Sequence, residues 1–301
     1  MSHHKFYELS DMLGENDLLV LNNTKVIPAR FYAKTENGKE IEILLVSSVS
    51  PDNLTWKILA SPRKHLHAVE TLRATSLSIS VIDPETIKFN SHQDLEIILN
   101  QVGKMPLPPY IKRESEEIDV DRYQTVFAKE PGAVAAPTAS LHFTEELLNK
   151  IQNKGVEVLY VTLHVGPGTF LPIRADDIRE HKLIPERYYI DKETWDKILN
   201  AKKNKKRIIA CGTTTVRTLE YVAISNKLSG LNGLYITPGF DFQVVNALVT
   251  NFHLPKTSLL VLISTFIGGE NVRKIYEEAI KEKYRFFSYG DVMFVDNHKN
   301  S

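Results

Sequence analysis

The 301-residue chain carries one cysteine, Cys211. That excludes an internal disulfide framework and any zinc or iron–sulfur centre built from several thiolates, and it fits a reducing compartment, the cytoplasm being the simplest. Net charge is absent as well, because Lys plus Arg and Asp plus Glu both number 37. A polyanionic partner would therefore have to be met by a local patch and not by bulk charge. No long hydrophobic run occurs: the most apolar stretch, residues 258–266, is far short of the roughly 20 residues of a membrane helix and reads as a buried element. Met1-Ser2-His3-His4-Lys5 lacks the apolar core of a signal peptide. Neither Gly-x-Gly-x-x-Gly nor Gly-x-x-x-x-Gly-Lys-Ser/Thr is present, and His142, His164, His181 and His253 form no i, i+4 pair, so no metal is expected.

What is present is ordinary globular composition, 43% hydrophobic and 25% charged, in a chain long enough for two domains at about 150 residues each. Residues 31–112 read as one domain of short β-branched runs, at 41–49, 54–60, 76–82 and 86–89. Turn signals separate them: Glu36-Asn37-Gly38, Pro51-Asp52-Asn53 and Asp83-Pro84. Pro106-Leu107-Pro108-Pro109-Tyr110 cannot continue a central strand or a helix and marks the far border. After Thr144 the pattern alternates: helix 145–154, strand 156–163, helix 192–204, strand 207–211, helix 214–225, strand 234–237, helix 272–283 and strand 292–295. Thr144 and Asp191 stand as N-caps. With a strand at 17–21, the expectation is a discontinuous, mixed α/β main domain over 1–30 and 113–301. A mostly antiparallel β-barrel-like domain is inserted at 31–112.

Four segments dense in Gly, Pro, Thr, His and aromatics fall outside regular periodicity: 131–144, 162–172, 212–217 and 250–255. Ligands of α/β proteins sit on such loops. His164-Val165-Gly166-Pro167-Gly168-Thr169 could present backbone amides to an anion or simply form a tight turn. Gly212-Thr213-Thr214-Thr215 opens a helix, where free amides and hydroxyls could meet an anion and Arg217 could add a fork of donors; a threonine-capped helix beside a solvated arginine is the alternative. Cys211 reads as a small core residue. Each of the histidines His142, His164, His181 and His253 could serve as an acid or base or be structural. The basic run Lys202, Lys203, Lys205, Lys206 and Arg207 ends a helix, where cations suit the macrodipole, and reads as solvated surface ahead of an RNA contact.

Together these segments resemble the S-adenosylmethionine:tRNA ribosyltransferase-isomerase family of queuosine biosynthesis. The resemblance is carried by Asp17-Leu18-Leu19-Val20-Leu21-Asn22-Asn23-Thr24-Lys25-Val26-Ile27-Pro28-Ala29-Arg30, residues 106–113, Arg122-Tyr123-Gln124-Thr125-Val126-Phe127-Ala128 and residues 132–144. It continues through residues 161–170, 212–220, Thr250-Asn251-Phe252-His253-Leu254-Pro255 and 284–291. These run in family order over nearly the whole chain. The family's leading segment, with an Arg-Asp-x-Ser-Arg-Leu-type stretch, is apparently missing ahead of residues 6–13. Ile184 stands where the family commonly has a second histidine. Ser140 and Asn16 replace glycines, which would strain a backbone of positive φ.

The resemblance implies transfer and isomerisation of the ribosyl unit of S-adenosylmethionine onto 7-aminomethyl-7-deazaguanine at the tRNA wobble position. Epoxyqueuosine-tRNA, adenine and methionine result. S-adenosylmethionine is a co-substrate and no cofactor is implied. For proton transfer, His164, His253 and Asp291 are nominated. For substrate binding the nominations are Thr138, His142, Gly166, Gly168, Thr169, Thr213, Thr214 and Arg217, with the aromatic faces of Phe252, Phe286 and Tyr289 for the sulfonium. Lys256, Arg285 and the 202–207 cations are the candidate tRNA contacts. The partners expected are this tRNA and S-adenosylmethionine, with no membrane, and a monomer in preference to a homodimer. Two rivals are a catalytically impaired paralogue that binds without turnover, and a Mg²⁺-dependent nucleotide hydrolase or phosphotransferase.

Overall fold

Asp17-Leu18-Leu19-Val20-Leu21-Asn22 is buried along its whole length, as a strand with neighbours on both edges and layers on both faces must be. In the computed structural model, which describes residues 1–35, 37–50, 52–72, 78–108, 110–170 and 172–297, this strand is the middle of the main sheet. Glu36, Pro51 and the start of the strand expected at 76–82 lie outside the described residues, as does the side chain of Thr169.

In chain order, α1 (Leu9–Met12) and β1 (Asp17–Asn22) are followed by β2 (Thr24–Val26) and by β3 (Arg30–Thr35), β4 (Glu40–Ser48), β5 (Thr55–Ser61), β6 (Val69–Leu72), β7 (Ser78–Asp83) and β8 (Thr86–Asn90). Then come α2 (Leu95–Val102), α3 (Ile118–Arg122), β9 (Glu130–Ala133), α4 (Glu145–Asn153), β10 (Glu157–Leu163), β11 (Glu186–Tyr189), α5 (Lys192–Lys203), β12 (Arg207–Cys211) and α6 (Thr213–Ser225). The chain ends with β13 (Ser229–Asn232), β14 (Ala247–Asn251), α7 (Ser258–Ile267), α8 (Gly269–Lys281) and β15 (Val292–Asp296). The two compact units are residues 1–24, 125–130 and 136–301, and residues 25–124 with 131–135. Their borders thus fall at 24/25 and 124/125 where the sequence suggested 30/31 and 112/113.

The second unit is a closed barrel in the order β3-β4-β5-β8-β7-β6, antiparallel throughout. Alternation along β4 turns Ile41, Ile43 and Leu45 inward, where Phe31, Trp56, Ile58, Ile87 and Phe89 meet them. The first unit holds a seven-stranded sheet, β13-β11-β10-β1-β12-β14-β15. The four central strands β10, β1, β12 and β14 are parallel, and β11, β13 and β15 join antiparallel. This is the mixed α/β class with an antiparallel barrel that the sequence predicts.

Thr144 and Asp191 cap their helices as expected: the Thr144 hydroxyl accepts the Leu147 N–H at 3.2 Å and Asp191 accepts the Thr194 N–H at 2.8 Å. α4 packs Leu147, Leu148 and Ile151 against Leu19, Leu21, Ile209 and Val249 of the sheet. Residues 234–237, read as a strand, are irregular, and the strand lies instead at β13. Within this stretch the Leu234 carbonyl is taken by Arg217 and its amide by the Asn232 side chain, so neither is left for a ladder. Among the described residues no helix is long and apolar enough to cross a membrane.

Candidate active site at the carboxyl edge of the parallel strands

Parallel strands place all their carboxyl ends on one edge, and ligands of open α/β sheets bind outside it, where neighbouring strands leave in different directions. In chain order the parallel strands run 2-1-3-4 across the sheet (β10, β1, β12, β14), so that point lies between the ends of β1 and β12. One side chain spans it. Asn22, fully buried, accepts the Leu163 N–H at 3.1 Å and the Thr24 N–H at 3.2 Å, and it donates to the Leu163 carbonyl at 3.0 Å and the Thr214 hydroxyl at 3.4 Å. It ties β1, β10 and the start of α6 together with no water needed.

His164 follows β10. The Thr24 hydroxyl is 2.9 Å from its Nδ1, and its backbone N–H donates to the Arg187 carbonyl. Burial, assisted by the positive charge of Arg187, pulls this imidazole down to about 4. His253 follows β14. Its Nε2 is 3.0 Å from the Thr250 hydroxyl, the Tyr276 hydroxyl accepts its backbone N–H at 2.9 Å, and burial lowers its pKa to about 3. Both rings are therefore held neutral, each with one nitrogen lone pair, and the same burial makes them weaker bases than a free imidazole.

A second polar chain lies at the same edge, because β15 runs antiparallel to β14 and begins opposite Asn251. Thr138 donates to Asn251 at 2.8 Å, and Asn251 in turn donates to the Gly290 carbonyl at 3.4 Å. His142 Nε2 lies 3.1 Å from that same carbonyl. A carbonyl only accepts, so Nε2 carries the hydrogen and Nδ1 keeps its lone pair. Burial also lowers the His142 pKa, outweighing the Gly290 bond and the charge of Asp291. Asp291 accepts the Arg285 backbone N–H at 2.8 Å and its guanidinium at 2.9 Å. Burial alone would raise this carboxyl; the bonds and charge of Arg285 reverse the sign and hold it lowered. At Gly290 a Cβ would sit 2.4 Å from the Arg285 carbonyl and 2.5 Å from that of Phe286, so the turn that carries Asp291 admits only glycine.

Gly212, at φ +86°, turns the chain from β12 into α6, and Thr213 and Thr214 are buried behind it. Cys211 is core, as read: it is buried, accepts the Ser140 hydroxyl at 3.3 Å, and its thiol is pushed up to about 12. Neither Ser140 nor Asn16 has positive φ, so the serine and asparagine carry no backbone strain. His181 packs edge-on to Tyr235.

Several nominated residues are placed differently from expectation. Arg217 is not a free fork: only 5% exposed, it is ion-paired with Glu186 through Nη1, and it donates to the Leu234 carbonyl at 3.0 Å and the Asn232 carbonyl at 3.2 Å. The Gly166 amide is also occupied, donating to Glu186 at 2.8 Å, and Gly168 packs against Ile184, whose Cδ1 lies 3.1 Å from where a Cβ would stand. Phe252 is buried amid Tyr276, Tyr284 and Phe286 at 5.3–5.6 Å between ring centroids, which leaves it no free face for a cation. Tyr289 is exposed and Phe286 partly so. Arg285 is engaged with Asp291, whereas Lys256 is exposed beside His253.

The 202–207 cations lie at the amino end of β12, the opposite edge of the sheet. Arg207 is there neutralised by Asp17 at 2.7 Å and Asp296 at 3.1 Å, and Lys206 binds the Glu15 carbonyl. Sequence reasoning missed Asn22 and Glu186. Their partners lie far along the chain, and the one available signal was a polar residue at the end of an otherwise apolar run. No cluster of metal-ligating side chains occurs among the described residues.

A mixed sheet with imidazoles, threonines and asparagines gathered at the carboxyl edge of its parallel strands defines an α/β protein with a polar cluster where such sheets bind ligands. More specifically, the chain belongs to the queuosine biosynthesis protein family, whose model matches residues 1–295. It is 45% identical over 300 residues to the S-adenosylmethionine:tRNA ribosyltransferase-isomerase of Aquifex aeolicus (strain VF5), an alignment covering 98% of this chain and 89% of that one. It is also similar to the crystal structure of S-adenosylmethionine tRNA ribosyltransferase from Thermotoga maritima. That match has 35% identity, a TM-score of 0.50, and coverage of 96% of this chain and 86% of the other.

Proposed function

We propose that this chain is an S-adenosylmethionine:tRNA ribosyltransferase-isomerase acting in queuosine biosynthesis. The ribosyl unit passes to the aminomethyl group of 7-aminomethyl-7-deazaguanine at the wobble position, adenine and methionine leave, and epoxyqueuosine-tRNA results. The observation that carries the reading is the pair of neutral, hydroxyl-bonded imidazoles, His164 and His253, on one sheet edge of a chain 45% identical to such an enzyme. The reaction needs bases in two places: the sulfonium acidifies the neighbouring C5′ carbon, and the attacking ammonium must lose a proton. A neutral imidazole has the lone pair that either task requires, and loss of its desolvation penalty against a bound cation would set its basicity. Asp291, held ionised by Arg285, is the third candidate for proton transfer at this edge. Thr138, Thr213, Thr214 and His142 offer hydrogen bonds to ribose and methionine groups. Lys256 is the cation best placed for a phosphate flanking the wobble base, which a single-stranded loop can present unstacked.

The test is incubation of the chain with S-adenosylmethionine and tRNA bearing the aminomethyl precursor, with adenine followed by chromatography and the modified nucleoside by mass spectrometry. Stoichiometric adenine and epoxyqueuosine are expected, unchanged by EDTA. Binding of both substrates without adenine release would select the impaired-paralogue reading. Normal single-turnover rates in both His164→Ala and His253→Ala would overturn the proton-transfer assignment.

A further inference from the structure

β14 ends at Asn251, and the backbone that follows leaves the sheet with no ladder to join. Two other segments take its polar groups. The Phe252 carbonyl accepts the Phe287 amide at 3.1 Å, and the His253 amide donates to the Tyr276 hydroxyl of α8 at 2.9 Å. The Tyr276 ring is itself fixed: it meets Phe252 and Phe286 edge to face, at 5.6 and 5.7 Å between centroids and at 72° and 73°. On the strand side the Thr250 hydroxyl lies 3.0 Å from Nε2 of the imidazole. His253 is thus held at its ring by β14 and at its backbone by α8, and Nδ1 is the ring nitrogen with no partner among the described residues.

Packing alone does not call for the phenol. A phenylalanine would make the same edge-to-face contacts, and taking the hydroxyl out of water is a cost, visible in a pKa pushed up to about 12. The one bond that sets against this cost, among the described residues, is the one it accepts from His253. We propose that Tyr276 is a positioning residue for His253: its hydroxyl anchors the backbone of residue 253 and so fixes the direction in which the imidazole stands. A bond at Nε2 holds only the far end of the side chain; the anchor at the amide holds the near end. α8 carries none of the nominated reacting groups, so this helix serves the sheet edge through a single hydroxyl. The inference rests on the proposed function for the proton-transfer role of His253, and the anchoring itself does not. A misplacement of about 1 Å can cost on the order of 10²-fold in rate, so loss of one anchor of two is expected to cost about tenfold.

The test compares the wild type, Tyr276→Phe, His253→Ala and the double variant. Tyr284→Phe is the control, because it removes a hydroxyl from the same aromatic cluster that bonds His3 and not residue 253. Adenine release is followed in single turnovers with S-adenosylmethionine and precursor tRNA, and the ring nitrogens of ¹⁵N-labelled histidine are followed by NMR at pH 7, with His253 assigned from His253→Ala. Tyr276→Phe should slow release about tenfold at an unchanged half-saturating concentration of S-adenosylmethionine, and it should slow His253→Ala no further. Melting should fall a few degrees in both backgrounds, since the backbone amide of residue 253 loses its partner in each. In the wild type the two His253 nitrogens should resonate apart, as in one fixed tautomer; in Tyr276→Phe they should move toward their average, with His164 unchanged. Tyr284→Phe should match the wild type in rate and in the His253 signals. Unmoved His253 signals in Tyr276→Phe, or a rate loss that adds in full to that of His253→Ala, would overturn the proposal. If the His253 signals move but even the wild type releases no adenine, the functional reading fails and the anchoring stands. If the wild type releases adenine while Tyr276→Phe neither slows it nor moves the signals, this inference alone fails.

Discussion

Replacing Arg217 by methionine removes a guanidinium that bonds Glu186, Leu234 and Asn232 at once. Methionine roughly fills the stem's volume, so the loss is electrostatic. Glu186 keeps the Gly166 amide but is left a buried carboxylate without its cation. Breaking a buried pair by removing one partner costs about 3–5 kcal/mol. A unit of this size shifts by about 2–4 °C per kcal/mol, so melting should fall by roughly 6–20 °C. Arg217→Lys keeps the charge but cannot fork to three acceptors, and it should fall in between. Removing both charges in Arg217→Met/Glu186→Leu should recover only part of the loss, since it relieves the unpaired carboxylate but leaves the Gly166 amide and the Leu234 and Asn232 carbonyls without these partners. Circular-dichroism melts of the four proteins in low and high salt suffice. The salt series should be flat, because a buried pair is poorly screened. If Arg217→Met melts with the wild type yet loses affinity for S-adenosylmethionine, Arg217 is a substrate fork and not a structural strut.

The imidazoles make stability depend on pH. His164 titrates near 4 and His253 near 3 in the folded chain, against about 6.5 unfolded. Between those values the unfolded chain binds more protons, so stability rises with pH across this window and is lost as pH falls from 6.5 toward 4 and below. For His164 the full amplitude is about 3 kcal/mol. Urea midpoints at pH 4.5 and 7 should therefore differ less in His164→Asn than in the wild type, and an unchanged difference would refute the buried neutral ring. Cys211, buried and pushed up to about 12, should react with a thiol reagent only on unfolding; rapid labelling of the native chain would contradict that. Lys256→Ala should weaken tRNA binding and lower the salt slope by about one, with Lys203→Ala close to neutral. Filter binding across a salt series would show the reverse if the basic run were the contact.

The main strands and helices were legible because their signals are local. β1 and β12 are unbroken apolar runs, and Thr144 and Asp191 announce the helices they cap. β11, Glu-Arg-Tyr-Tyr, and β13, Ser-Gly-Leu-Asn, were not legible: short strands at the sheet's margin need little hydrophobic pattern. The strand expected at 234–237 shows the converse, propensity overridden where side chains claim the carbonyl and the amide of Leu234. At the candidate site the sequence offered the segments but not the bonding. Asn22 reads as the polar end of a strand until its partners, 141 and 192 residues away, are known. Arg217 reads as a free cation until Glu186, 31 residues earlier, is found beneath it.

Strand geometry decides which cations can serve the chemistry. From Arg207 to Cys211 β12 rises about 13 Å, at about 3.3 Å per residue. The 202–207 run therefore stands a full sheet height from Thr213, with Arg207 already neutralised by Asp17 and Asp296. A phosphate next to a base held at the carboxyl edge must be met by residues of that edge. Arg187 is one, exposed on β11, with its carbonyl bonded to the His164 amide. Lys256 is another, at φ +60° after His253. Arg174 is a third, since the Ile173 amide bonds the Lys256 carbonyl at 2.8 Å and sets the two exposed cations on adjoining backbone. A chain of zero net charge can thus still meet a polyanion: its balanced ion pairs hold the frame, and its exposed cations stand where the strands end.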